Sequence, residues 1–213
     1  MPTQIEKESF ALPNTKHAAA VNEFLRSEAS PHLYNHSVRS FLFASEFATA
    51  KKCTYDREVL FFGCMLHDLG LIEKYYGTTR FEVDGANAAS KKLQELGVDE
   101  KTRLVVWDAV ALHATTHIPQ QKQPEIALVQ LGAAADVMGL NVQDLNHERL
   151  RAILSLYPRE NMKERILDDL IAYLRQNPAG GAGYWMDKIA DKHVKHGVQF
   201  DLERAIKAAP FEE

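Results

Sequence analysis

The sequence predicts an all-α protein, and three observations carry that expectation. Apolar residues recur at helical spacing from residue 16 onward. No segment alternates apolar and polar residues as a half-buried strand would. Capping residues, prolines and glycines cut the chain into pieces of helical length.

Taken in order, "KHAAAVNEFLRSE" (16–28) is the first helix, and "SPH" interrupts it. A second runs from about 35 to 50, with His36, Ser40, Phe43 and Phe47 on one face and His36 opening it. "TYD" marks the next start, and 56–68 is strongly apolar until His67 and Asp68 end it. "GANAASKKLQELG" is a short amphipathic helix, expected to be capped by Asp84 and closed by Gly97. "DEKTRLVVWDAVALHAT" follows, with Asp99 as its N-cap and His113 near its end. Pro124 opens "PEIALVQLGAAADVMG", which Gly139 stops. Segments 147–156, 159–177 and about 184–196 complete the set, with "NPAGGAG" (177–183) as a joint inside one domain.

A chain of 213 residues fits one large helical domain, because single cores grow to about this size before splitting. The net charge of −4 offers no basic footprint for nucleic acid or for an anionic membrane surface. The N-terminus carries charge and no apolar signal core, and no stretch reaches the roughly 18 apolar residues of a membrane span. Cys53 and Cys64 stand at no metal or redox spacing. They are read as reduced thiols, and the protein as soluble and cytoplasmic.

Four polar residues interrupt apolar helices: His36, the His67–Asp68 pair and Asp136. Asp136 stacks on Val129, Gly132 and Ala133 at helical spacing, so it is expected to face the core or a cavity. A carboxylate there costs several kcal/mol unless it is paired or bound to a metal. Imidazole and carboxylate are the donors that zinc, iron, manganese and nickel accept, and helical bundles hold metals between facing helices. A lone His–Asp dipeptide is commonly only a polar helix end, so the weight falls on the set of four.

That constellation resembles the HD-domain superfamily of metal-dependent hydrolases. The resemblance covers about residues 30–140 and implies one helical domain of the HD type over 1–213, with helices from 141 to 213 packing on it. It implies His36, His67, Asp68 and Asp136 as ligands of a divalent ion, zinc being favoured and iron, manganese or nickel fitting the same donors. "YNHSVRSF" (34–41), "LHDLGL" (66–71), "RFEVDGANAA" (80–89) and "APFEE" (209–213) resemble more closely the cyanamide hydratase-like branch. Two-metal relatives carry a further histidine where this chain reads "RFEVDGA", with Phe81 or Glu82 in its place. That departure argues for one metal ion.

The expected activity is hydrolysis or hydration of a small molecule by metal-activated water, with a nitrile such as cyanamide as a candidate substrate. Asp68 and His113 are the expected catalytic groups, His113 as proton donor or shuttle. His117, on the loop beyond, and Glu82, Asp84 and Arg39 are candidate substrate contacts. For Asp84 the other reading is a plain cap, and for Arg39 a partner for a buried carboxylate. Lys74, Tyr75, Tyr76 and Arg80 lie on a loop, 70–83, that could cover the site. The alternative activity is a phosphohydrolase of a nucleotide or phosphate ester, which needs a cationic clamp from Arg39, Lys74 and Arg80. A non-catalytic module stabilised by its metal is the third. Residues 147–196 are read as packing on the core or as a dimer surface, so a homo-oligomer is among the expectations.

Overall fold

A computed structural model describes residues 10–177 and 202–211. The described residues form nine α-helices, with short 3-10 turns in three of the connections and no strand among them. In chain order these are α1 (Lys16–Glu28), α2 (Pro31–Ala50), α3 (Arg57–Leu66), α4 (Phe81–Glu95), α5 (Glu100–Leu112), α6 (Pro124–Met138), α7 (His147–Leu156), α8 (Met162–Gln176) and α9 (Leu202–Lys207). The all-α expectation holds. The helix expected over 184–196 lies outside the described residues.

Local chemistry sets most of these boundaries. Thr15 accepts the Ala18 amide at the start of α1, Asp56 those of Glu58 and Val59 at α3, and Asp99 that of Thr102 at α5. Gly139 ends α6 in the left-handed conformation, with φ +71°. Two boundaries differ from the sequence reading. α2 starts at Pro31, four residues earlier than expected, because proline at the first helical position needs no donor and has its φ already set. His36 therefore sits inside the helix and does not open it. α4 starts at Phe81 with Arg80 as N-cap, so Asp84 is not the cap. Its carboxylate turns back onto the preceding loop and accepts from the Gly77 amide (3.1 Å), the Thr79 amide (3.3 Å) and the Thr79 hydroxyl (2.7 Å).

α2 is the central helix, buried along most of its length, and α6 packs against it most extensively. Gly132 makes that packing close. A Cβ there would stand 2.1 Å from the Ser40 carbonyl oxygen. One turn further along α6, Asp136 is thereby brought beside His36 and Arg39 of α2. A second tight approach sits below the α3 terminus. A Cβ on Gly70 would lie 1.9 Å from the Phe81 carbonyl oxygen, so the 69–71 turn presses directly on the start of α4. Phe41, Phe61 and Phe62 lie in the main core, while Trp107 is half-buried at its edge and donates to Asn87 (2.9 Å). A smaller apolar cluster of Leu33, Leu71, Met162, Ile166, Tyr173 and Ile206 packs α8 and α9 onto α2 and the 69–71 turn.

Candidate metal centre

α3 ends where its chemistry begins. His67 keeps helical backbone angles (φ −63°, ψ −32°) as the C-cap, and Asp68 leaves them (φ −104°, ψ 17°). Neighbouring side chains on a helix diverge by about 100°. The change at Asp68 lets both side chains face one point. The Leu71 amide then donates to the Asp68 carbonyl (3.0 Å) and starts the turn.

His36 from α2 meets this pair. Its Nε2 lies 3.0 Å from His67 Nε2 and 3.3 Å from Asp68 Oδ2, and His67 Nε2 lies 3.2 Å from the same oxygen. All three residues are buried. His113, the C-cap of α5, places Nε2 3.4 Å from the other Asp68 oxygen. The structure thus gathers His36, His67, Asp68 and His113 at one place.

The protons of the imidazoles can be assigned from their partners. His67 Nδ1 is 2.7 Å from the Cys64 carbonyl, and His113 Nδ1 is 2.6 Å from the Val110 carbonyl. A carbonyl only accepts, so each Nδ1 carries hydrogen and each Nε2 of a neutral ring presents a lone pair. His36 Nδ1 donates to Asp136 Oδ2 (2.7 Å), which leaves its Nε2 in the same state. Two nitrogen lone pairs then face each other at 3.0 Å, next to a buried carboxylate. That arrangement is unfavourable unless a cation, a proton or a metal ion, stands among them. Ligands about 2.0 to 2.1 Å from a metal at tetrahedral or octahedral angles are about 2.8 to 3.4 Å apart, a range that contains the spacings seen here. The donor set therefore fits a divalent ion, with His36, His67 and Asp68 as one buried group able to hold it.

The side chains also act on one another's charges. Burial disfavours the His36 cation, but the Asp136 and Asp68 carboxylates outweigh it and raise its pKa. At His67 burial dominates and the pKa falls. For His113 burial is again overcome, here by Asp68 with help from Glu82. Burial would raise Asp68, yet the surrounding imidazoles, His67 first, hold it well below the usual carboxylate range. Burial drives the Cys64 thiol upward, so it stays protonated and is only core packing.

The remaining site candidates fall elsewhere. Asp136 is fully buried but stands behind His36, on Nδ1, and not among the Nε2 atoms. Arg39, also fully buried, binds that carboxylate through Nε (2.7 Å) and Nη2 (2.8 Å) and donates through Nη1 to the Tyr157 and Pro158 carbonyls. Of the two expectations for Arg39, the carboxylate partner is the one the structure shows. Glu82 is buried, pairs with Arg80, and lies close enough to His113 to act on its charge. His117 is exposed on the loop after α5 at φ +68°, and it is not brought to the cluster. Asp84 serves the 77–79 loop.

One residue escaped sequence reading. Arg159 is buried, and its Nη1 donates to the Asp136 carbonyl (2.9 Å) and to Asp136 Oδ1 (3.2 Å). The expected helix over 159–177 starts only at Met162, and Arg159 lies in the segment before it. The usable signal was Asp136 itself: a carboxylate in "AAADVM" needs a cation from somewhere in the chain.

Phe81 stands edge-on to the His113 ring (5.6 Å between centroids), and Tyr173 and Tyr76 continue the aromatic contact. Loop 77–79 is tied down from the far side as well. The Tyr173 hydroxyl donates to the Thr79 carbonyl, and the Asn177 side chain donates to the Gly77 (3.1 Å) and Thr79 (2.8 Å) carbonyls.

The HD domain family matches residues 33–166. Among curated proteins, none matches the chain. HD domains are generally metal-dependent hydrolases, and the buried histidine–histidine–aspartate group is compatible with that chemistry. With its central helix, its His–Asp helix end and its family match over more than half its length in agreement, the chain belongs to the HD domain family.

Proposed function

We propose that the protein is a cytoplasmic, mononuclear metal-dependent hydrolase or hydratase of a small molecule, with a nitrile such as cyanamide as the leading substrate. The observation that carries this reading is the convergence of His36, His67 and Asp68 within 3.0–3.3 Å, with every Nδ1 proton turned outward. These three residues would hold the ion, zinc being favoured and iron, manganese or nickel fitting the same donors. When bound, such an ion supplies a Lewis acid and brings the pKa of its water to about 7 in the case of zinc.

The chain's own groups fit a small uncharged substrate. His113, on the second oxygen of Asp68, is placed to hold or deliver a proton at Nε2. Phe81 packs edge-on against that ring. A phosphate ester would need cations free to clamp it, and the three the sequence offered are engaged. Arg39 is buried on Asp136, Arg80 is paired with Glu82, and Lys74 is paired with Glu28 (2.6 Å). The Phe81–Glu82 pair where a second-metal histidine would stand supports a single ion. Cys53 and Cys64, both free, fit a reducing compartment.

Elemental analysis should find about one divalent ion per chain, most of it lost in Asp68→Ala. The loaded enzyme should convert cyanamide to urea and leave a nucleotide panel intact. An ion count near two, or phosphate released from nucleotides, would overturn this reading.

A further inference from the structure

Asp136 was expected to bind the metal, yet its surroundings describe another role. Its Oδ1 accepts from Arg39 Nε (2.7 Å) and Arg159 Nη1 (3.2 Å), and its Oδ2 from Arg39 Nη2 (2.8 Å) and His36 Nδ1 (2.7 Å). A carboxylate offers about four lone-pair positions, so these four donors fill it. The whole group is buried: Asp136 and Arg39 are 0% exposed and Arg159 3%. Turning an oxygen toward a metal would strip a buried guanidinium or the His36 N–H of its acceptor. The contact with His36 is also on the wrong nitrogen for a shared ligand. Nδ1 takes Asp136, while Nε2, on the opposite edge of the ring, joins His67 and Asp68.

We propose that Asp136 is a positioning residue and not a ligand: it fixes the proton of His36 on Nδ1, aims Nε2 at the metal, and is itself held by Arg39 and Arg159. This rests on the metal reading given above. A carboxylate behind a ligating histidine is a known way to set the tautomer and raise the basicity of the ring. The protein then contributes three ligands, His36, His67 and Asp68, and keeps more of the ion's coordination sphere open than four would. Arg159, through its bonds to Asp136, makes the segment before α8 part of the centre.

Three measurements test the role. Competition titration with zinc should show Asp136→Asn still binding one ion at saturation, with affinity about 10- to 100-fold weaker. Long-range proton–nitrogen NMR of the metal-free proteins should find His36 as the Nδ1–H form in wild type, with the Nε2–H form gaining in Asp136→Asn. A tautomer unmoved by the substitution would overturn the positioning role. If Asp136→Asn does not fold, an anomalous-diffraction structure of the zinc-loaded wild type decides. Asp136 should remain on Arg39, Arg159 and His36, and a metal–oxygen bond of about 2.0–2.2 Å to it would overturn the proposal while leaving the metal reading intact. A wild-type chain that binds no divalent ion would overturn both.

Discussion

Replacing Arg39 by Met removes a guanidinium that reaches no solvent. The structure gives it two charge-assisted bonds to Asp136, at 2.7 and 2.8 Å, and two bonds to the Tyr157 and Pro158 carbonyls, at 3.1 and 2.8 Å. Bonds to a charged group contribute about 1.5–3 kcal/mol each, and Met refills much of the volume. Arg159 and His36 stay on Asp136, so the carboxylate is weakened but not abandoned. Breaking a buried pair in this way costs about 3–5 kcal/mol. Urea titration of the metal-free protein, followed by far-ultraviolet circular dichroism, should show that loss as a lower midpoint at unchanged slope. Arg39→Lys should recover little, because a point charge cannot reproduce the planar fork. A loss of about 1 kcal/mol or less, the range of an exposed pair, would refute the reasoning. It would also reopen Arg39 as a substrate contact.

Gly132→Ala puts a Cβ against a main-chain oxygen that no rotamer change can move, so it should destabilise by about 1–3 kcal/mol although alanine favours a helix by about 1 kcal/mol; a more stable variant would contradict the close α2–α6 contact. Asp84→Ala should speed hydrogen exchange at the Gly77 and Thr79 amides by about fivefold, corresponding to roughly 1 kcal/mol, with little change at the cluster histidines. Burial opposes ionisation of Asp136, but Arg39 and His36 hold its folded pKa below the usual carboxylate value. The stability it contributes is therefore complete above the unfolded value of about 3.9 and is lost as pH falls through the folded one. Urea midpoints between pH 5 and pH 2 should trace that loss in the metal-free protein, and an identical acid limb in Asp136→Asn would assign it to other groups.

Helix boundaries were legible where a single residue sets them. Asp56 is followed by free amides that its own carboxylate can reach, and Gly139 can enter the left-handed region at little cost. The His67–Asp68 pair was legible for the same reason, since an apolar run ending in two donors has few uses. Long-range pairing was not. Nothing local in "YPREN" says that Arg159 will meet a carboxylate 23 positions earlier. Nothing in "FEVDG" says that Asp84 will turn backward and not cap. The Asp84 contact also relies on glycine at 77, where a Cβ would stand 2.4 Å from Asp84 Oδ1, and that requirement shows only once the partner is known. Asp136 shows the gap most sharply: its burial could be read from its neighbours, but the choice between gripping an ion and gripping His36 depended on cations outside its own helix.

His67 and His113 share one device: each is the residue at which a helix stops, and each lodges its Nδ1 proton on the carbonyl three positions back. Their outer partners are main chain, so substitution cannot change them without unravelling the helix end. His36 alone has an exchangeable outer partner, the side chain of Asp136. Anyone seeking to retune the affinity or reactivity of this centre without rebuilding its walls therefore has one handle of this kind on its three imidazoles, and it is operated from α6.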